Sequence, residues 1–316
     1  MVYILLIVGF ALLIKGADFF VDGASHIAAA LRVSPLIIGL TIVAFGTSAP
    51  EATVSIVAAI EGSAGVTVGN VIGSNIFNIT LVVGIGALIL PMLVENETIK
   101  KEIPFTLLAG LAMLILVSDV SLQQSAENVV TRADGIILLL FFAIFLYYIF
   151  EVAKNSRSKE EQNMVDHKAW GKNISVTVAG VAAIILGGEL VVNSATEIAL
   201  SFGMSETLVG LTIVAVGTSL PELVTSVTAA IKKESDIAIG NIVGSNIFNI
   251  LLVLGITAVI SPLTIDNRVF FDIIVMLLLT IILLVFSRTN FKVGRREGGF
   301  LTISYIAYMV YIIIRN

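Results

Sequence analysis

The sequence predicts an all-α integral membrane protein, with ten transmembrane helices in two inverted five-helix repeats and broken helices at the repeated motifs. Three observations predict it. Of 316 residues, 57% are hydrophobic and only 13% charged, for a mean hydropathy of +1.04. Apolar segments of about 20 residues, enough to cross roughly 30 Å of hydrocarbon, recur from end to end. Residues 33–91 and 204–262 align without a gap at an offset of 171, about half of the positions being identical. The identity is strongest at polar residues, which lipid does not require, and it includes a glutamate within each apolar span (Glu51 and Glu222). An ionisable residue inside a span is by default a functional hypothesis.

The first span, about 2–30, has no basic leader region and no small-residue cleavage site, so it reads as a transmembrane helix and not a removable signal. The second, about 34–60, holds GTSAPE at 46–51. Pro50 lacks the N–H that a continuing helix needs and clashes one turn back, so the helix breaks or kinks there. The third, about 66–90, holds GNVIGSNIFN. Its glycines Gly69, Gly73, Gly84 and Gly86, like Gly240, Gly244 and Gly255 in the second copy, are expected to let helices approach closely. The fourth and fifth spans are about 103–118 and 132–152. The polar segment 154–173 is too short to fold as a domain and reads as a solvated cytoplasmic connector. Spans at about 174–201, 205–231, 236–261, 269–287 and 299–314 repeat the set, so the two halves are 1–153 and 174–316. The offset extends into the first span of each half, where Gly16, Asp18, Val21 and Ala24 fall on Gly187, Glu189, Val192 and Ala195.

Five spans per repeat force the second copy to insert upside down. With the N-terminus outside, the inner loops hold Arg32, Lys100, Lys101, Lys154, Arg157, Lys159, Lys168, Lys172, Lys232, Lys233, Arg288, Lys292, Arg295 and Arg296. The outer side keeps Arg132, Arg268 and Arg315. This excess inside orients the chain with both termini extracellular in a multi-pass cell-membrane protein.

Composition also excludes chemistries. There is no cysteine, hence no disulfide, thiolate metal site or cysteine nucleophile, and His26 and His167 are too few for a histidine metal site. A net charge of −5 says little about partners; neither nucleic acid nor an obligate protein partner is expected, and lipid is. GTSAP lacks the second glycine of a GxSxG nucleophile turn, and no GxxxxGK[ST] phosphate loop occurs, which argues against an enzyme or an ATP-driven pump and against any cofactor.

The repeated motifs point to a cation instead. Thr47, Ser48 and Glu51 place two hydroxyls and a carboxylate beside one helix break; Thr218, Ser219 and Glu222 do so beside Pro221. Broken helices at membrane depth survive where they line a polar cavity or bind an ion. Ser74 and Asn78 lie four apart on one helical face, as do Ser245 and Asn249. All of these are hard oxygen donors, and zinc and softer metals prefer nitrogen or sulfur. Calcium accepts six to eight flexible oxygens, and sodium also fits an oxygen cage. Two ionised glutamates make an empty site costly to move through the membrane, while one Ca²⁺ or two to three Na⁺ neutralise it. A loaded site can then reorient where an empty one resists, which describes exchange and not leak.

At these residues the chain resembles the cation/Ca²⁺ exchanger superfamily, in particular the Na⁺/Ca²⁺ exchangers. GTSAPE and GTSLPE with two copies of GSNIFN match that family's duplicated repeats, and the likeness covers nearly the whole chain. It implies antiport of Ca²⁺ and Na⁺ by ten helices in inverted repeats, with ion sites among spans two, three, seven and eight. It implies Glu51 and Glu222 as central ligands, completed by Thr47, Ser48, Ser74, Asn78, Thr218, Ser219, Ser245 and Asn249 and by the backbone carbonyls of Ala44 and Ala215. Spans one and six would be sliding gate helices. GTSxPE in place of the proton-coupled members' asparagine-containing motif favours sodium. Asn249 stands where potassium-dependent members and some microbial sodium exchangers have aspartate, which argues against K⁺ co-transport. An H⁺/Ca²⁺ exchanger, a K⁺-dependent one and a cation channel remain the alternatives.

Other polar residues read more plainly. Asn75 and Asn246 point about 100° away from their serines on a helix and read as packing or repeat-contact residues. Asp18 and Glu189 read as hydrated acids near span ends, with a place on the ion path as the alternative, and Lys15 as a side chain snorkelling to the interface.

Overall fold

The computed structural model describes residues 2–157, 170–203 and 215–315. Among them, seven helices are long and apolar enough to cross a membrane, and the bent pair Pro35–Thr47 with Ala49–Ile60 makes eight when counted as one span. In chain order the helices are α1 (Val2–Leu31), α2 (Pro35–Thr47), α3 (Ala49–Ile60), α4 (Ala64–Ile89), α5 (Ile103–Leu116), α6 (Asp119–Gln123), α7 (Arg132–Arg157), α8 (Trp170–Ser201), α9 (Ala215–Thr218), α10 (Leu220–Ile231), α11 (Ser235–Ile260), α12 (Arg268–Arg288) and α13 (Arg295–Arg315). The fourth expected span is α5, only 14 residues long, preceded by one π-helical turn, Thr98–Glu102. The seventh expected span is described only from Ala215 onward, because 204–214 lie outside the described residues, as do 158–169 of the polar connector.

The chain forms two compact units, Met1–Pro50 with Ile149–Ile242, and Glu51–Tyr148 with Val243–Asn316. Each draws on both repeats. In the first unit, α1 and α8 run antiparallel with their backbones close together. Glycines recur every seventh residue on α1, at 9, 16 and 23. A Cβ at Gly16 would lie 2.9 Å from the Gly180 carbonyl oxygen, and one at Gly187 would lie 2.7 Å from the Leu13 nitrogen. Lipid offers no hydrophobic drive between helices, so small residues that admit close van der Waals contact hold such a pair together. Gly39 and Gly240 do the same for α2 and the start of α11: a Cβ on either would come within 2.8 Å of a backbone oxygen. Asp18, expected near a span end, sits in mid-helix. Lys232 Nζ lies 2.6 Å from its carboxylate and 2.6 Å from that of Asp22, and it also donates to the Asp18 carbonyl at 2.9 Å.

In the second unit, close approach recurs where a Cβ at Gly84 would meet the Gly298 carbonyl at 2.9 Å and one at Gly135 the Gly255 carbonyl at 2.7 Å. Gly69 and Gly73 do not behave this way: among the described residues nothing lies within 4 Å of an added Cβ. Gly69 is the counterpart of Gly240, whose neighbour Gly39 corresponds to Gly210, outside the described residues. Two short antiparallel ladders join the copies. Met92–Leu93 after α4 pairs with Lys292–Val293 before α13, and Val129–Val130 before α7 pairs with Leu263–Thr264 after α11. Asp272 on α12 takes a bidentate pair of hydrogen bonds from Arg315 on α13, both at 3.0 Å. The helices bearing GSNIFN are the most enclosed, 72% and 83% of their apolar windows being buried against 11% for α13. Large apolar side chains such as Ile7, Ile303 and Phe150 are exposed on the outer helices, as a lipid-facing surface requires.

Candidate cation site

Both GTSxPE motifs interrupt a helix at the same place. Between α2 and α3 the chain turns at Ser48 (φ −83°, ψ 5°), and the two segments are bent by 47°. In the second copy Ser219 (φ −94°, ψ 6°) separates α9 from α10. The break precedes the proline by two residues, so Pro50 and Pro221 fall in the first turn of the next helix. There a missing N–H costs nothing, because first-turn N–H groups have no intrahelical partner. The carbonyls four residues earlier, those of Gly46 and Gly217, lose the donor a continuous helix would have supplied. Glu51 and Glu222 each become the third residue of the new helix, where the helix dipole favours negative charge. Their exposures are 1% and 0%.

In the first unit the two copies touch directly. Ser48 Oγ donates to Glu222 Oε1 at 2.9 Å. Thr47 Oγ1 lies 2.9 Å from Asn241 Oδ1 and 3.1 Å from its own Val43 carbonyl. Asn241 in turn donates to Ser226 Oγ at 2.9 Å. The Ala44 carbonyl accepts the Ser48 N–H at 3.0 Å, and Thr47 Oγ1 lies 3.3 Å from the same oxygen. In the second copy the Ser219 N–H goes to Val216 instead, at 3.2 Å. Ala215 opens α9, and its side-chain surroundings are not described. Thr218 and Ser219 are buried.

In the second unit Ser74, Asn78, Ser245 and Asn249 are all buried. Asn78 opens one π-helical stretch, Asn78–Val82, and Asn249 lies in another, Phe248–Val253. Such wide turns recur at functional sites because they re-aim side chains within an otherwise regular helix. Asn78 donates to Asn246 Oδ1 at 3.2 Å, and Asn249 donates to Asn75 Oδ1 at 3.4 Å. Asn75 and Asn246 are therefore repeat contacts, but polar ones made to two of the expected ligands. Near Glu51, Asn70 donates to the Glu51 carbonyl at 3.1 Å and to Ser55 Oγ at 2.9 Å. Asn70 with Ser55 repeats Asn241 with Ser226 at the same offset of 171. Among the described residues, Asn78 Oδ1, Ser245 Oγ and Asn249 Oδ1 are buried and make no hydrogen bond.

Asn70, Asn241, Ser55 and Ser226 join the expected residues, and for the asparagines the sequence carries a signal. Asn70, Ser74 and Asn78 fall at i, i+4 and i+8, as do Asn241, Ser245 and Asn249, so each trio shares one helical face. The serines carry no such mark, because a serine in a span commonly bonds its own helix.

The sequence profile of the sodium/calcium exchanger protein family matches residues 1–151 and 172–314. Over 317 residues the chain is 43% identical to CaxA of Alkalimonas amylolytica, named there provisionally as an antiporter, covering 96% of each chain. It is 34% identical over 340 residues to the sodium/calcium exchanger MaX1 of Methanosarcina acetivorans, covering 98% of this chain and 97% of the other. The structure superposes on the sodium–calcium exchanger NCX_Mj soaked in 10 mM Na⁺ and zero Ca²⁺ with a TM-score of 0.85 at 32% identity, over 98% of this chain and 99% of that one. With its long apolar helices and its duplicated motifs, the chain belongs to the sodium/calcium exchanger protein family of multi-pass membrane transporters.

Proposed function

We propose that this chain is a secondary antiporter that moves Ca²⁺ against Na⁺ by alternating access. Glu51 and Glu222 supply the charged ligands. Thr47, Ser48, Ser74, Asn78, Thr218, Ser219, Ser245 and Asn249 supply neutral oxygens, with the carbonyls of Ala44 and Ala215. The observation that carries the reading is the trio Asn78 Oδ1, Ser245 Oγ and Asn249 Oδ1, which are buried and without hydrogen bonds among the described residues. An unsatisfied buried polar atom costs about 1–3 kcal/mol. Three of them, all at positions the motif repeats, are expected where a dehydrated cation is to be held. Every donor in the set is a hard oxygen, which suits Ca²⁺ and Na⁺. The M. acetivorans relative bears the name of a sodium/calcium exchanger, and NCX_Mj was soaked with Na⁺, Ca²⁺ or Sr²⁺. The ten-span inverted topology with both termini outside is supported by the crowding of Lys and Arg into alternate loops.

The test is ⁴⁵Ca²⁺ uptake by proteoliposomes under an imposed Na⁺ or H⁺ gradient. Uptake should follow an outward Na⁺ gradient and need no K⁺. Uptake that tracks ΔpH and ignores Na⁺ overturns the sodium coupling and assigns the protein to proton exchange. Uptake with no counter-cation, or single-channel currents, overturns exchange altogether.

A further inference from the structure

We infer that Asn75 and Asn246 are positioning residues that select which end of Asn249 and of Asn78 faces the transported cation. The inference rests on the reading that Asn78 and Asn249 are ligands, and it assigns a role the ligand set leaves out. A carboxamide is ambiguous: its C=O and NH₂ ends have nearly the same size and shape, but one attracts a cation and the other repels it. A buried asparagine ligates reliably only if a neighbour fixes its rotation. Here the neighbour is supplied crosswise. Asn249 Nδ2 donates to Asn75 Oδ1 at 3.4 Å, and Asn78 Nδ2 donates to Asn246 Oδ1 at 3.2 Å. At the repeat offset, Asn75 corresponds to Asn246 and Asn78 to Asn249, so the two bonds are one contact made twice, each copy orienting the ligand of the other. All four side chains are buried, none more than 1% exposed. With each NH₂ engaged, the opposite end of each amide is its Oδ1. Both oxygens are buried and make no hydrogen bond among the described residues.

Asn75 is itself oriented. Its own Nδ2 donates to Met276 Sδ on α12 at 3.6 Å, which turns its oxygen toward Asn249. Thioether sulfur is a weak acceptor that does not compete for Asn75 Oδ1. Apolar packing would not call for an amide at 75 and at 246, since a leucine fills the same space. An acceptor turned toward an amide NH₂ does call for one.

The test exploits the fact that a carboxylate has oxygen at both ends and needs no orienting partner. Equilibrium ⁴⁵Ca²⁺ binding to purified protein is measured, which does not depend on the coupling ion. Asn75→Leu should raise the Kd for Ca²⁺ at least about tenfold in the otherwise native chain and less than about threefold in an Asn249→Asp background. Equal losses in both backgrounds, or no loss in the native one, overturn the positioning role and leave Asn75 a packing residue. Asn249→Ala separates the two levels. If it leaves Kd unchanged, the ligand reading fails first; if it weakens binding while Asn75→Leu does not, only the present inference fails. Should Asn75→Leu not fold, the mirror cycle of Asn246→Leu with Asn78→Asp gives the same contrast, and equal losses there are equally fatal.

Discussion

At the scale of single residues, Glu222 shows how much of the site depends on charge and how much on shape. Its Oε1 accepts from Ser48 at 2.9 Å, and Glu222→Gln keeps that acceptor and nearly the same volume. What it removes is a negative charge in a buried, water-poor setting. Leaving a buried charge without its partner costs about 3–5 kcal/mol, which is roughly two to three and a half decades in binding. Glu222→Gln and Glu51→Gln should each therefore cut Ca²⁺ uptake by about a hundredfold or more, while purified protein stays monodisperse. Wild-type uptake in either variant would show that its carboxylate does not hold the ion. These two acids were legible in the sequence because lipid penalises them, and a penalised residue that recurs at a fixed offset marks itself. Asn241 and Ser226 were harder to see. Neutral polar side chains in a span cost little, and only the fold reveals that Asn241 links Thr47 to Ser226.

At the scale of the element, the glycines carry the most information, and the two kinds can be told apart by experiment. A Cβ at Gly16 would meet the Gly180 carbonyl and the Ile184 nitrogen, both at 2.9 Å. Backbone cannot rotate away, so Gly16→Ala should force α1 and α8 apart at about 1–3 kcal/mol. That loss is read as a lower Tm in detergent. Gly65, on the first turn of α4, has nothing within 4 Å among the described residues. Gly65→Ala should leave Tm unchanged or slightly raised, since alanine is the better helix former. Equal effects at the two sites would mean that α1 and α8 are not held by close backbone contact. The seven-residue glycine spacing on α1 is visible in the sequence; the π-helical turns at Asn78–Val82 and Phe248–Val253 are not. One widened turn leaves the apolar pattern of a fully buried helix unchanged, because such a helix has no polar face to shift. The breaks at Ser48 and Ser219 were legible to within two residues, since proline dictates that a break occurs but the helix chooses to restart where the proline sits in its first turn.

At the scale of the whole molecule, the repeats are alike in the motifs and diverge in their charges. Lys232 is gripped by Asp18 and Asp22 of α1, yet the counterparts of Lys232 and Asp18 at the repeat offset are Glu61 and Glu189. Like charges cannot form that clasp, so only one copy has it, and alignment alone could not reveal it because partners lie more than 200 residues apart in sequence. Burial pulls the Lys232 ammonium down, but hydrogen bonds to Asp18 and Asp22 outweigh it and hold its pKa above the ordinary 10.5. A basic group raised on folding stabilises fully below its unfolded pKa, and that contribution is lost only as pH climbs through the folded value. Lys232→Met should thus lower Tm by about the same amount at about pH 6 and about pH 9. A loss that vanished by pH 9 would show that the ammonium is not held.

The orientation of the chain is also a whole-molecule property, and it is the one most directly open to test. In the proposed orientation, 14 of the 18 Lys and Arg residues lie on the inner side. The chain contains no cysteine, so a single introduced thiol reports its own side of the membrane without background. Ser125, after α6, and Lys154, near the end of α7, are both exposed, so neither substitution disturbs packing. The long apolar helix α7 lies between them, and by crossing the membrane it would bring them out on opposite sides. Ser125→Cys should react with a membrane-impermeant maleimide on intact right-side-out cells, and Lys154→Cys only after permeabilisation. The reverse pattern would turn the whole topology over and place both termini inside. Labelling of both thiols on intact cells would mean that α7 does not cross, and would remove the odd span count from which the inversion of the second repeat follows.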